Sequence, residues 1–176
     1  MEILGTTIIA VLKNGRLAMA GDGQVTLGNQ VLKSKAKKVR RIYNNTVLGG
    51  FAGHTADALT LFERFEARLS NASGNLKRAA VDLTKEWRTD RALRRLEAMM
   101  LVGDTTEILI VSGQGDVIDP DEPIAAIGSG APMAISAAKA LWKYSNMSAE
   151  EIAKASIEIA SEICIYTNQT ITLEVL

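Results

Sequence analysis

The sequence contains little cysteine, little histidine and no excess of charge of either sign. Its one cysteine, Cys164, cannot close an internal disulfide, and this agrees with a cytosolic protein. Lysine plus arginine and aspartate plus glutamate both number 20, a balance that argues against a general nucleic-acid binder. No apolar run approaches the roughly 18–20 residues of a membrane span, and the first five residues are too few for a secretory signal peptide. We therefore expect a cytoplasmic protein without membrane or nucleic-acid partners.

Two common catalytic motifs are also missing. No G-x-x-x-x-G-K-[ST] sequence occurs, so the glycine-rich stretches do not predict a nucleotide site. No G-x-S-x-G nucleophile elbow accompanies the only histidine, His54, which argues against a Ser/His/Asp hydrolase. We expect a structural or substrate-lining role for His54 and a buried helix position for the thiol of Cys164.

Hydrophobic patterning predicts a block of strands, two helices, more strands, two more helices and a last strand. Turn signals at Asn14-Gly15 and Asn44-Asn45 predict antiparallel hairpins. The second helix is predicted to carry one apolar stripe from Leu76 to Met100, and the fourth helix begins at a capping box led by Ser148. Strands are predicted at 6–12, 16–20, 25–27, 31–32, 38–43, 46–52, 107–112, 116–119, 124–127 and 169–175.

These elements predict one α+β domain with a four-layer α-β-β-α architecture. The chain has 176 residues, of which 47% are hydrophobic and 23% charged, enough for one domain with a substantial core. Tight hairpins imply antiparallel sheets, and helices in two separate pairs suggest that each pair covers one outer face of two stacked sheets. Periodicity alone is equally compatible with a plain two-layer α+β fold.

Thr6 stands at the start of the first predicted strand, directly after Gly5. If the bond between them is cut, Thr6 gains a free α-amine beside its own hydroxyl. A hydroxyl needs a base to become a good nucleophile, and an α-amine with a pKa of roughly 7.7–8.0 can serve near neutral pH. One residue would then supply nucleophile and base, although a Thr-Thr pair before a strand also reflects ordinary β-propensity.

Seven short segments together resemble one family of proteases. The chain resembles the protease subunits of bacterial two-component ATP-dependent proteases, relatives of proteasome β-subunits in the N-terminal-nucleophile hydrolase superfamily. The resemblance covers nearly the whole chain from Thr6, and the order and spacing of the segments make it specific. The segments are Thr6-Thr7-Ile8, Gly21-Asp22-Gly23-Gln24, Lys37-Lys38-Val39-Arg40, Gly50-Phe51-Ala52-Gly53, Trp87-Arg88-Thr89-Asp90, Ala126-Ile127-Gly128-Ser129-Gly130 and Ile163-Cys164-Ile165-Tyr166-Thr167-Asn168.

The resemblance implies catalytic roles for four residues, and the position of Gly53 in the chain predicts a fifth. Residues 1–5 would be a propeptide removed autocatalytically, leaving residues 6–176 as the protease domain with Thr6 as the terminal nucleophile. Lys38 matches the essential lysine of the family and would stabilise the developing alkoxide, and Asp22 matches the carboxylate that anchors it. Ser129 matches a serine near the amine, and the Gly53 N–H, just before a helix, is the best oxyanion-hole candidate.

The resemblance also implies an ion and partner proteins. Main-chain carbonyls at Ser161, Cys164 and Thr167 match a sodium site near the active site, although position 161 is commonly glycine in the family. Family members form two stacked six-membered rings capped by hexameric AAA+ ATPases, which unfold and deliver protein substrates and activate the protease allosterically. ATP would therefore be bound by the partner and not by this chain.

Two other functions stay open on the residues alone. One is an N-terminal-nucleophile hydrolase that cleaves small amides without an ATPase, and the other is a non-catalytic ring subunit whose Thr6 is never unmasked. The second predicted helix also carries a set of arginines, and the simplest interpretation is that they form a solvent-exposed face. In a ring assembly they could instead contact neighbouring subunits or the ATPase. They are Arg88, Arg91, Arg94 and Arg95.

Overall fold

The computed structural model describes residues 3–53, 55–91, 93 and 98–176. These residues form twelve strands and four helices. In chain order they are β1 (Ile3–Leu4), β2 (Thr7–Lys13), β3 (Arg16–Gly21), β4 (Val25–Leu27), β5 (Gln30–Lys33), β6 (Val39–Ile42), β7 (Val47–Ala52), α1 (Thr55–Asn71), α2 (Leu76–Thr89), β8 (Met99–Gly103), β9 (Ile108–Ser112), β10 (Val117–Ile118), β11 (Ile124–Gly128), α3 (Ala131–Tyr144), α4 (Ala149–Ile163) and β12 (Thr172–Val175).

The β2–β3 hairpin occupies the centre of the fold. Asn14 and Gly15 both adopt positive φ, of 54° and 73°, as a tight antiparallel turn requires. The register pairs Lys13 with Arg16 next to this turn and continues to Ile8 opposite Gly21. Residues from Thr7 to Val11 are fully buried, because β2 is covered on both faces, as its apolar run predicts.

Two antiparallel sheets stack face to face with a helix pair on each outer face. One sheet has the order β11-β2-β3-β12 and is covered by α3 and α4, whereas the other has the order β10-β9-β8-β7-β6 and is covered by α1 and α2. Separate apolar clusters fill the space under each helix pair, and a third, which includes Ile8, Met19 and Leu101, lies between the sheets. The predicted α+β four-layer sandwich is therefore confirmed.

One predicted element is wrong at its C-terminal end. α2 stops at Thr89, where the N–H of Asp90 closes the last turn on the carbonyl of Glu86, and Met100 lies in strand β8 instead. β8 runs between β7 and β9, so its apolar side chains are buried on both faces of the sheet. A short run that is apolar on every face fits a helix stripe as well as a buried strand, which explains the error. Leu96, also on the predicted stripe, lies outside the described residues.

A small third sheet lies beside the sandwich and was not predicted. It has the order β1-β4-β5, with Ile3 opposite Leu27 and Leu4 opposite Thr26. Its first strand is Ile3–Leu4, so these two residues before Thr6 are held in an extended conformation. Within the part of the chain that the structure describes, no helix is long and apolar enough to span a bilayer.

An ion-pair cluster joins the two helices of the α1–α2 layer. Arg64 and Arg68 both donate to the carboxylate of Glu86, with Arg68 Nη2 at 2.6 Å, and Arg64 also lies 3.8 Å from Asp90. Burial alone would raise the pKa of Glu86, but hydrogen bonds from the two arginines outweigh it and hold that pKa below its ordinary value. The cluster therefore ties α1 to α2 only while Glu86 is ionised.

Candidate active site

Thr6 lies at the junction between the β1 strand and the central strand β2. Its side chain is mostly buried, and its Oγ1 donates a hydrogen bond of 2.5 Å to the carbonyl oxygen of Gly5, the residue before it. Gly5 has φ of +122°, and a Cβ there would lie 3.0 Å from the carbonyl oxygen of Gln24. Only glycine fits this turn without strain, and the turn folds the Thr6 hydroxyl back onto the Gly5–Thr6 peptide group.

Lys38 directs its ammonium at the same carbonyl group. Its Nζ donates to Gly5 O at 3.0 Å, to Asp22 Oδ1 at 2.8 Å and to Gln24 O at 2.6 Å, so all three of its N–H groups have acceptors. Only 8% of the side chain is exposed. Desolvation by burial lowers the pKa of Lys38 from its ordinary value, and Asp22 opposes this effect.

Asp22 is a buried anion that four donors hold in place. Its side chain is 0% exposed. Besides Lys38, the main-chain N–H of Thr7 donates to Oδ1 at 2.8 Å, and those of Gln24 and Asn168 donate to Oδ2 at 2.9 and 3.3 Å. A buried carboxylate is stable when it is paired and its lone pairs are hydrogen-bonded, and both conditions hold here. Asp22 thus fixes the lysine relative to the start of β2.

Ser129 lies in the turn between β11 and α3, directly against Thr6. Its N–H donates to the carbonyl oxygen of Thr6 at 2.8 Å, and its Oγ lies 3.3 Å from the same oxygen. Gly128 has φ of +96°, and a Cβ at that position would lie 1.9 Å from Thr6 O. Gly128 is therefore a condition for the approach of this turn to Thr6, and the Ser129 side chain stays exposed beside the site.

Gly53 follows β7 and precedes α1, as the sequence predicts. It is exposed and has φ of +148°, a conformation that favours glycine. Its described surroundings are Phe51 and Ala98, which a Cβ on Gly53 would approach to 3.0 and 2.9 Å. The oxyanion role of its N–H stays a prediction, and the neighbouring His54 lies outside the described residues.

The three predicted sodium ligands lie at and after the C-terminus of α4. Cys164 is the C-cap, its carbonyl accepts from Thr167 N at 3.0 Å, and the turn brings Thr167 back to β2. The last carbonyls of a helix lack intrahelical donors and carry partial negative charge, which suits a hard cation. The hydroxyl of Ser161 donates to Glu158 O at 2.6 Å on its own helix, so this side chain does not use the Ser161 carbonyl. The residues present therefore fit a cation held by main-chain oxygens.

Three residues of the site had no individual role in the sequence analysis. Thr7 contacts Asp22, Gly130 and Thr167, whereas the Gln24 side chain donates to Ile165 O at 2.9 Å. Asn168 accepts from Gly23 N at 3.0 Å and donates to Ser34 O at 2.9 Å. All three stand within the motifs that carry the resemblance, which was the one available signal. A polar side chain in a strand or turn does not by itself reveal which distant segment it meets.

The predicted arginine face is only partly described. Arg88 is exposed on α2, as a solvated face requires, and packs beside Gly115 of the β9–β10 turn. Arg91 is also exposed, but it lies beyond the end of α2 at Thr89, so its predicted place on the helix is wrong. Arg94 and Arg95 lie outside the described residues.

The layers and the site define a class of protein: an N-terminal-nucleophile hydrolase fold in which Thr6 lies beside a buried lysine–aspartate pair. The family model described as "Proteasome subunit" matches residues 3–176. Two curated relatives named "ATP-dependent protease subunit HslV" cover nearly the whole chain. The one from Syntrophobacter fumaroxidans is 56% identical over 97% of this chain and 95% of its own, and the one from Pseudothermotoga lettingae is 57% identical over 99% of both.

Solved structures agree with the sequence relatives. Eukaryotic HslV from Trypanosoma brucei superposes with a TM-score of 0.92 at 48% identity and covers 97% of this chain and 98% of its own. A Thiobacillus denitrificans protein, BPH in complex with epoxomicin, superposes with a TM-score of 0.77 at 21% identity over 97% of both chains, and this likeness concerns the fold alone. The chain belongs to the proteasome-subunit family and, within it, to the HslV protease subunits.

Proposed function

We propose that this chain is the threonine endopeptidase subunit of an ATP-dependent protease, with Thr6 as its nucleophile after residues 1–5 are removed. One observation carries the proposal. The Thr6 hydroxyl and the Lys38 ammonium both lie on the carbonyl group of Gly5, at 2.5 and 3.0 Å from its oxygen. A nucleophile and an electrostatic stabiliser converge on one peptide bond, the bond whose cleavage creates a terminal threonine.

The first reaction is self-cleavage between Gly5 and Thr6. Thr6 Oγ attacks the Gly5 carbonyl carbon while its proton passes through water to the amide nitrogen of Thr6, and Lys38 stabilises the negative charge that develops on the carbonyl oxygen. The C–N bond then breaks, so that the Gly5 acyl group moves to Thr6 Oγ as an ester and the α-amine is released. Water hydrolyses the ester, freeing residues 1–5 as a carboxylic acid and restoring the hydroxyl.

The second reaction is hydrolysis of substrate peptides by the unmasked threonine. The α-amine of Thr6 takes the hydroxyl proton, directly or through water, while Oγ attacks the scissile carbonyl. The Lys38 N–H that was bonded to Gly5 O is free to stabilise the alkoxide, and Asp22 keeps the ammonium in place. The Gly53 N–H binds the oxyanion, and Ser129 assists proton transfer near the amine. The α-amine passes the proton to the departing peptide nitrogen as the scissile C–N bond breaks, which leaves the acyl-enzyme ester. Water then attacks the ester and gives a proton through the amine to Thr6 Oγ, so that the acid product leaves and the hydroxyl is restored.

The β1 strand supports an extended mode of substrate binding. Leu4 and Ile3 pair antiparallel with Thr26 and Leu27 of β4, which places Gly5 at the nucleophile. Loss of residues 1–5 leaves that edge of β4 without a partner. An unfolded chain can add there as a new antiparallel strand, with its scissile bond where the Gly5–Thr6 bond was.

Unfolded substrates imply a partner that supplies them. The names of the curated relatives describe an ATP-dependent protease subunit, whereas this sequence has no phosphate-binding loop of its own. We propose an HslU-type hexameric AAA+ ATPase as the partner of two stacked hexameric rings of this chain in the cytoplasm. The ATPase would unfold misfolded proteins and pass them into the closed chamber.

A sodium ion completes the proposed site. Main-chain carbonyls of Ser161, Cys164 and Thr167 would hold it, and the support is the concentration of carbonyls where α4 ends. When bound, the ion supplies positive charge that fixes the loop behind Thr6. The side-chain hydroxyl of Thr167 connects this loop to Thr7, and the main-chain N–H of Asn168 connects it to Asp22.

Intact mass spectrometry of the purified wild-type chain tests the proposal. We expect the mass of residues 6–176, and we expect Thr6→Ala to keep the full mass, assemble normally and lose peptide cleavage. An active preparation with the mass of all 176 residues would refute the role of the terminal amine. Turnover by Thr6→Ala above about one-hundredth of wild type would show that another nucleophile acts. Assays with casein and with small amides, with and without the ATPase, separate a protein-degrading enzyme from an amide hydrolase.

A further inference from the structure

We propose that Thr7, the residue after the nucleophile, is a positioning residue whose hydroxyl holds two distant turns in register around Thr6. The inference rests on the proposed function, because the property it affects is the reactivity of Thr6. Thr7 itself contacts neither the reacting peptide bond nor Lys38 in the described hydrogen bonds, so it acts through its neighbours.

Thr7 joins three segments that are far apart in the sequence. Its N–H donates to Asp22 Oδ1 at 2.8 Å, and its carbonyl accepts from the N–H of Asp22 at 3.1 Å. Its Oγ1 accepts from Gly130 N at 2.9 Å and lies 2.6 Å from Thr167 Oγ1. Thr7 is 0% exposed and Thr167 4%, so these bonds face no competition from water. The residue therefore ties the lysine anchor, the Ser129 turn and the loop after α4 together.

The turn that carries Ser129, residues 128–130, packs tightly against the hydroxyls of Thr7 and Thr167. A Cβ on Gly130 would lie 2.3 Å from Thr7 Oγ1 and 2.7 Å from Thr167 Oγ1. The same turn donates the N–H of Ser129 to the carbonyl oxygen of Thr6. The position of the Thr7 hydroxyl thus sets where the turn meets the peptide group of the nucleophile.

A hydroxyl is required because a buried donor depends on it. Valine has the shape of threonine, but it would leave Gly130 N–H and the Thr167 hydroxyl without the partner that each has now. A buried N–H that loses its acceptor lowers the stability of the fold. The turn that contains Gly130 would therefore shift slightly until this N–H meets another acceptor. A displacement of about 1 Å at a catalytic group can lower the rate by about a hundredfold.

The test compares Thr7→Val, Thr7→Ser and Thr84→Val with wild type. Thr84 is the matched control, because it is also a buried threonine, but its hydroxyl is bonded to Val81 O within α2, in the other helix layer. The measurements are kcat and KM for a fluorogenic peptide, the rate of self-cleavage by intact mass, and the thermal unfolding midpoint. We expect Thr7→Val to lower kcat and self-cleavage at least about tenfold with little change in KM, and Thr7→Ser to recover most of the loss.

Each outcome decides for or against the positioning role. If Thr7→Val keeps kcat within about twofold of Thr84→Val, or changes KM alone, the proposal is overturned. If Thr7→Val shows no cooperative unfolding transition, Thr167→Val decides, since it removes the partner hydroxyl from the other side. A loss of at least about threefold in its kcat supports the coupling, and wild-type kcat overturns it. Thr6→Ala, measured in parallel, tests the nucleophile independently of any result at Thr7.

Discussion

Replacing Lys38 with methionine tests the electrostatic part of the mechanism. Methionine keeps most of the length and apolar volume of the lysine stem but removes the ammonium that lies 3.0 Å from Gly5 O and 2.8 Å from Asp22. At an effective dielectric of about 20, a unit charge 3.0 Å from a forming oxyanion is worth about 5–6 kcal/mol. Asp22 already neutralises much of the ammonium, so we take about half, near 2.7 kcal/mol. This corresponds to about a hundredfold in rate.

The assay follows two reactions of the same site. Self-cleavage is measured by intact mass over time, and substrate hydrolysis by kcat for a fluorogenic peptide. We expect both to fall at least about a hundredfold in Lys38→Met, with KM little changed. Lys37→Ala is the control, because Lys37 is adjacent in sequence but exposed.

A loss of folding must be separated from a loss of chemistry. Removing one partner of a buried ion pair costs about 3–5 kcal/mol, because Asp22 stays buried without its cation. The double variant Lys38→Met/Asp22→Asn removes both charges, so it should unfold at a higher temperature than the single variant while staying inactive. If Lys37→Ala and Lys38→Met weaken activity equally, or if the double variant regains activity, the charge of Lys38 does not act on the reacting carbonyl.

Three further perturbations have defined outcomes. Gly128→Ala should lower kcat at least about tenfold, because its Cβ would lie 1.9 Å from the Thr6 carbonyl oxygen. The control Gly15→Ala should keep the wild-type kcat, because nothing lies within reach of its Cβ. Equal kcat values for the two variants would contradict the role of the turn that contains Gly128. Hydrogen bonds from the arginines of α1 hold the pKa of Glu86 below its ordinary value of 4.5. The ionised Glu86 carboxylate therefore adds to the free energy of unfolding above pH 4.5, and this contribution is lost as the pH falls through the pKa of Glu86 in the folded protein. Urea unfolding of Glu86→Gln should therefore show a weaker loss of unfolding free energy between about pH 5 and 3, by about 0.5–1 kcal/mol, and an unchanged loss would refute the pairing. For both the wild type and Ser161→Gly, the unfolding temperature should be higher in sodium chloride than in choline chloride at equal ionic strength. The absence of this rise in both proteins would contradict the sodium site.

Local sequence signals predicted the elements that depend on neighbouring residues. The Asn14-Gly15 hairpin formed as its turn chemistry requires, and Ser148 and Glu151 make both hydrogen bonds of the predicted capping box. α2 and β8 show where such signals fail. The apolar stripe predicted a helix as far as Met100, but the decisive fact was the space between β7 and β9, which only the assembled sheet creates.

The candidate site shows the same division. The sequence by itself determined the chemistry available: a threonine after a glycine, a strand behind it, and no motif for nucleotide or serine-hydrolase chemistry. Resemblance singled out Lys38 and Asp22, since a basic run and an aspartate between glycines are usually surface and turn residues. Only the tertiary structure decided that Lys38 is buried on the Gly5 carbonyl and that Thr7 meets Thr167 across 160 positions. The physical reason is that hydrogen bonds and desolvation depend on distance in space, and the pattern along the chain constrains that distance only within a single helix, strand or turn.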